Sequence, residues 1–163
     1  MIGNIILNEE NHLNIKPLIS SENYYSNYLV LKNKYHNQCL FNQDKYQSDD
    51  YFKEDGTYVY HFFCTVKHQG YAGMIHGGVL SALVDSAMAR CLFGHGIKAY
   101  TVRLNIKFLK PVKINHPITV VAKIKDKNED TVIPLQAFII QNDRKIVIAD
   151  AQFWVIENLL NKT

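Results

Sequence analysis

Residues 70–92 read GYAGMIHGGVLSALVDSAMARCL. Positions 76–93 of this region have the composition of one long helix. Val79, Leu80, Ala82, Leu83, Val84, Ala87, Met88, Cys91 and Leu92 leave little polar surface, and only Ser81, Asp85, Ser86 and Arg90 interrupt the apolar run. A helix this apolar must be covered on most of its sides. The GHG at 94–96 supplies two good stop residues.

Asp85 is the odd member. It sits in mid-helix, too far in to act as an N-cap or to meet the helix dipole. No basic residue stands three or four positions away, where Ala82, Met88, Ser81 and Ala89 are found instead. A buried carboxylate needs a partner, or its pKa rises. Two readings stay open: a solvent-facing stripe shared with Ser81 and Arg90, or a carboxylate held beside a ligand as general base or nucleophile.

His76 is not its intrachain partner. Nine residues at about 100° each put the two on opposite faces of a helix, roughly 13 Å apart along the axis. If both ends of the motif serve one site, two copies of the helix must supply them. Gly77 and Gly78 sit at the helix start, where the first four N–H groups lack intrahelical acceptors. A carbonyl oxygen placed there would meet free donors and the positive end of the helix dipole. The plainer alternative is that the glycines only satisfy turn geometry or packing, with His76 as a cap.

The flanking sequence is β-rich. GTYVYHFFCTVK (56–67) is β-branched and aromatic and reads as a strand. After the helix, TVRLNIKFLKP (101–111) alternates: Val102, Leu104, Ile106 and Phe108 fall on one face, and Thr101, Arg103, Asn105 and Lys107 on the other. PITVVAKIKD (117–126), TVIPLQAFIIQ (131–141) and IVIADAQFWVI (146–156) follow as strands, joined by turns at 126–130 and 142–145. Pro134 argues for a sheet edge or a bulge at its position. Links this short require antiparallel neighbours. The fold class is therefore α+β, a curled antiparallel sheet wrapped around one central helix. The exposed edges of such a sheet can be covered by dimerisation.

Upstream, PLISSENYYSNYLVLKNKYH (17–36) reads as a helix, with a tyrosine-rich coil as the alternative. Residues 37–55 are polar and turn-rich, a linker or a short edge strand. This divides the chain into a partly helical extension (1–55), the main domain (56–157) and a tail (158–163).

Composition excludes several classes of function. The 163 residues carry a formal charge of +3, with 47% hydrophobic and 20% charged residues. No Lys/Arg block points to nucleic acid. Cys39, Cys64 and Cys91 stand far apart without a C-x-x-C pair, so neither a metal site nor a disulfide framework is expected. No basic n-region opens the chain, and no apolar segment approaches the roughly 20 residues of a membrane span. The expected compartment is the cytoplasm.

HQGYAGMIHGGVLSALVDSAMA followed by TVRLNIKFLKPV resembles the hotdog-fold acyl-CoA thioesterases of the PaaI-like group. The resemblance covers residues 56–156 and rests on three features in order: the H-G-G triplet, the acidic residue nine positions on, and the T-x-x-L-N-x-x-F-x-K-P strand. It implies hydrolysis of an acyl-CoA substrate by a homo-oligomer, a dimer or a dimer of dimers, with no cofactor beyond the CoA of the substrate. It implies that the Gly77 N–H polarises the thioester carbonyl and that Asp85 of the other subunit attacks or activates water. His76 shapes the glycine turn, and Thr101 holds Asp85 or the water. Gly78, Met74, Asn105, Lys107 and Lys110 are the implied substrate-binding residues. Tyr71, Met74 and Phe93 border the acyl pocket or simply pack. Some relatives carry a Cys-Phe-x-Cys-Gly segment before the domain; here only Cys39 matches, with Asn42 at the second position. Relatives with L-D-E-A-M differ from V-D-S-A-M here, where Ser86 replaces the second carboxylate. The alternative is a non-catalytic acyl-CoA-binding hotdog protein that serves as a sensor or interaction module.

Overall fold

The computed structural model describes residues 21–42, 47–126 and 131–159. Helix α1 spans Ser21–Tyr35 and is followed by a short 3-10 turn at Leu40–Asn42. Strands β1 (Gln47–Phe52) and β2 (Tyr58–Phe63) precede helix α2 (Gly77–Gly94). Strands β3 (Ile97–Phe108), β4 (Pro117–Ile124), β5 (Val132–Gln141) and β6 (Arg144–Asn158) complete one six-stranded sheet in the order β1-β2-β4-β5-β6-β3. Every pairing is antiparallel. The expected start of the first helix (17–20), the turn at 127–130 and the tail from 160 lie outside the described residues.

Alternation fixes which face of the sheet turns inward. In β6, Val147, Ala149, Ala151 and Phe153 are buried while Gln152 and Trp154 are exposed. Their inner face meets α2, which contacts β2, β3, β4 and β5. Leu83, Met88 and Leu92 are fully buried between sheet and helix. Removing each such side chain from water contributes about 1.5–3 kcal/mol. α2 is long and apolar enough to cross a membrane by length and composition, but it is the core helix of this fold and most of it is buried.

The hairpin joining β5 and β6 turns on Asn142 (φ 51°) and Asp143 (φ 58°). Positive φ at both central residues matches the strand twist, and Asn and Asp tolerate it best after glycine.

Of the two readings of segment 37–55, the edge strand is the one seen: β1 gives the sheet one strand more than the main domain alone provides. Two other sequence expectations change. Pro134 is not at an edge: β5 lies between β4 and β6. It is tolerated because β4 is ending beside it. Its carbonyl accepts the Lys125 N–H at 2.9 Å, and the last residue pair of β4 and β5 is Ile124 with Leu135. The second change concerns β3. Between Thr101 and Arg103 the register against β6 slips by one residue, so Val102 is a bulge. The simple alternation over 101–108 therefore fails at its start. Thr101 pairs with inward Phe153, and Leu104 with inward Ala151. Thr101 thus shares the inner face with Leu104, Ile106 and Phe108, while Arg103, Asn105 and Lys107 face out.

Candidate functional site

The start of α2 is held by its own residues and by the loop before it. His76 is the N-cap, its Nδ1 accepting the Gly78 N–H at 2.8 Å. The His76 N–H donates to the His68 carbonyl and the Ile75 N–H to the Val112 carbonyl, each at 2.8 Å. These bonds fix the backbone on both sides of the glycine pair. The amides of Val79 and Leu80 donate to the His76 carbonyl. Among the described residues no acceptor lies on the Gly77 N–H, the first of the helix.

Gly77 is not a glycine for steric or conformational reasons within one chain. Its φ is not positive. A Cβ there would meet only the Phe108 ring, at an ordinary 3.7 Å. A Cβ on Gly78 would press His76 Nδ1 at 3.0 Å, so that glycine serves the cap. The Gly78 amide is thus used inside the protein, and the open donor is that of Gly77.

Gly77 opens onto an apolar cleft of about 330 Å³ lined by Tyr71, Met74, Ile75, Leu80, Phe108, Leu109, Lys110, Pro111 and Val112. Met74 and Lys110, expected near a ligand, are both here, as is Tyr71. Phe93 is not. It is buried at the far end of α2, with its ring edge-on to His36 at 5.6 Å. Phe108 and Leu80 belong to the cleft without having been singled out from sequence; their alternation and helical spacing read only as core.

Asp85 lies eight residues further along α2, half-buried. Thr101 Oγ1 donates to its Oδ1 at 2.6 Å. The Val102 bulge makes this contact possible by turning Thr101 inward, and bulges often re-aim a side chain in this way. Arg90, the other charge on the helix, does not share a solvent-facing stripe with Asp85: it is 1% exposed. Ser86 is buried and points at Cys39, with Oγ and Sγ 3.6 Å apart. A glutamate at position 86 would therefore face the interior rather than Asp85.

Eight residues of α-helix separate Gly77 from Asp85 by about 12 Å along the axis. A single chain cannot set both groups on one reacting carbonyl. The outer-face residues Asn105 and Lys107 are on the opposite side of the sheet from both. Asn105 lines an open hollow with Arg103, Lys125, Pro134, Leu135, Asp150, Ala151 and Gln152, where Lys125 Nζ meets Asp150 Oδ1 at 3.0 Å. Among the described residues no group of three His, Cys, Asp or Glu side chains is placed to hold a metal ion.

The model of the thioesterase superfamily matches residues 72–133, which include Gly77, Asp85 and Thr101. No curated protein matches the chain. Similar solved structures include the E. coli PaaI protein of the phenylacetic acid degradation operon, at 18% identity and TM-score 0.70 over 85% of this chain and 96% of that one. Mouse thioesterase superfamily member 2 aligns at 17% identity and TM-score 0.67 over 82% and 97%. A hypothetical thioesterase of Streptococcus pneumoniae, solved with coenzyme A, aligns at 22% identity and TM-score 0.61 over 64% and 84%. Two further structures of that protein are alanine variants of an aspartate and of a threonine sixteen positions later. The chain has the hotdog fold of these structures, and its residues 72–133 match the thioesterase superfamily.

Proposed function

We propose that the protein hydrolyses acyl-CoA thioesters to a free acid and CoA, at sites shared between two copies of the chain. The Gly77 N–H and the dipole of α2 polarise the thioester carbonyl. Asp85 of the other copy either takes a proton from a water that adds to the carbonyl, or itself adds to give an acyl anhydride that a water then hydrolyses; on both routes the C–S bond breaks and the CoA thiolate leaves. Thr101 holds the carboxylate in line, and His76 holds the turn that presents Gly77. Tyr71, Met74 and Phe108 bound the acyl cleft, with Lys110 at its rim as a phosphate contact.

The hydrogen bond from Thr101 to Asp85 carries this reading. It fixes a carboxylate at the open half of α2 through a threonine that follows it by sixteen positions. The aspartate and threonine chosen for substitution in the pneumococcal protein have the same spacing. That protein was solved with coenzyme A, which supports a CoA thioester as the substrate class. A dimer is supported by geometry. The 12-residue strand β3 ends the sheet with one edge unpaired, and Tyr100, Val102 and Phe108 on it are more than half exposed. An edge this long invites a second strand. We place the protein in a reducing compartment, in line with its free thiols.

A thiol-release screen over short, medium, long and aromatic acyl-CoAs tests the proposal. Asp85→Ala is expected to lower kcat about a thousandfold while leaving a folded dimer by light scattering. Unchanged turnover by that variant would remove Asp85 from the chemistry. A wild-type protein that binds CoA thioesters and releases no thiol would place it among non-catalytic binding modules.

A further inference from the structure

The apolar cleft beside Gly77 has a floor and a rim that differ in burial. Ile75, Leu80 and Val112 form the floor and are buried, while Tyr71, Met74, Phe108 and Leu109 stand around it exposed. The two loops that wall the cleft are tied together. The Ile75 N–H donates to the Val112 carbonyl at 2.8 Å, the Ile114 N–H donates to the Gly73 carbonyl at 3.1 Å, and Met74 bridges to Lys113. The Gly73 N–H also donates to the Gln69 side chain at 2.8 Å. The cleft is thus shaped by the chain's own hydrogen bonds, and little ordering remains for a ligand to impose.

The lining sets limits on charge and on size. Among the described residues its only polar side-chain atoms are the Tyr71 hydroxyl and the Lys110 ammonium group, and both residues are exposed at the rim. A charged group carried down to Ile75, Leu80 and Val112 would give up its water for no partner. The Phe108 ring stands 3.7 Å from the point where a side chain on Gly77 would begin. Leu80 follows about one turn later on the same face of α2. Hydrocarbon leaving a carbonyl at the Gly77 N–H therefore meets an aromatic ring first and the floor next. A water fills about 30 Å³ of the liquid and a methylene is similar in size, so about 330 Å³ holds at most about eleven of them. The mouth is open, so fewer are enclosed. We infer that the site selects uncharged hydrocarbon acyl groups of about eight to ten carbons, with Met74 as a wall that limits their length. The inference rests on reading Gly77 as the seat of the thioester carbonyl.

Non-hydrolysable CoA ketones, in which a methylene separates sulfur from carbonyl, test this by calorimetry on the full-length chain. From the acetyl to the octanoyl analogue, affinity should rise about threefold per added methylene, and it should level off beyond the decanoyl one. A decanoyl analogue that ends in a carboxylate should bind about thirtyfold more weakly than the plain one. Met74→Trp adds bulk to an exposed wall, so the melting temperature should hold while the rise ends about two carbons sooner. Equal affinity across the series, equal affinity for the charged-end analogue, or an unmoved end point in the folded variant would each overturn the inference. Thiol release from the matching thioesters is measured in parallel. Its absence beside an intact affinity series sinks hydrolysis alone, and its presence beside a flat series sinks the chain-length reading alone.

Discussion

The two ends of α2 are built differently. Its last two turns, Ala87 to Gly94, are closed in by α1, β1 and β2. Arg90 is buried there, donating to the Tyr58 hydroxyl at 3.3 Å and stacked 4.9 Å from the centre of the Tyr60 ring. The Tyr28 and Tyr58 hydroxyls both donate to Asp50 Oδ2. Around them Tyr24, Tyr28, Phe52 and Tyr58 form a chain of aromatic contacts. The first two turns, Gly77 to Asp85, are different. Gly78 is exposed, Ala82 and Asp85 are half-buried, and the neighbouring β3 is an open edge. One end is complete within the chain and contributes stability. The other end leaves the Gly77 N–H, a carboxylate and an apolar cleft uncovered, and is the site proposed for the chemistry. This division also explains the N-terminal segment: α1 and β1 close over the end of α2, where Asn27 donates to the Gly94 carbonyl and the Phe52 ring packs against Gly94.

Disturbing each end in turn tests the contrast. The largest effect is expected at the closed end. Asp50→Ala leaves two phenol hydroxyls without their acceptor beside the buried Arg90, and should cost about 4 kcal/mol in urea unfolding. A loss below about 1 kcal/mol would mean that the network contributes little. Alkaline pH probes the same end. Burial, the main cause, raises Tyr28 and Tyr58 well above the ordinary tyrosine value of 10.0, and pushes Tyr60 up to about 12. Between pH 10 and those values the unfolded chain has lost protons that the folded chain keeps. Stability should therefore be intact below pH 10 and fall above it, by about 1 kcal/mol per phenol at pH 11. Thermal melts from pH 8 to 11.5 measure this.

At the open end the order of effects reverses, with chemistry moving and stability staying still. Gly77→Ala adds a Cβ where the fold has room, so unfolding should change by less than about 1 kcal/mol. The same Cβ crowds a carbonyl at the free N–H, and kcat/KM should fall about thirtyfold, or about 2 kcal/mol. A matched loss of stability would return the glycine to a packing role. Thr101→Val keeps the shape and removes the donor to Asp85. A drop in kcat of about tenfold is expected, or about 1.4 kcal/mol, with no change in melting temperature. Equal kcat in this variant would separate Thr101 from the positioning of Asp85.

Much of this is legible from the residues. The apolar run from Val79 to Leu92 demands a covered helix, and the short links at 126–130 and 142–145 demand antiparallel neighbours. The isolated Asp85 stands out because nothing within one turn of helix balances it. The resemblance placed Thr101 beside Asp85, and the contact is present. Other features leave little trace. β1 falls in a polar stretch, QSDDYF, where the buried use of Asp50 depends on two tyrosines from distant elements. Arg90 reads as a surface charge because its aromatic surroundings are supplied by α1 and β2. Pro134 reads as an edge signal because the early end of β4 is a property of the sheet.

By itself the sequence determined the covered helix, the antiparallel sheet and the impossibility of an intrachain pair between His76 and Asp85. These follow from periodicity, link length and helical rise, which are local properties of the chain. Only the tertiary structure decided that the Gly78 amide is taken by His76 while that of Gly77 stays open, that Val102 is a bulge, and that Thr101 therefore turns inward to Asp85. A bulge reverses the facing of every side chain before it, and its position is set by pairing with a strand some fifty residues away.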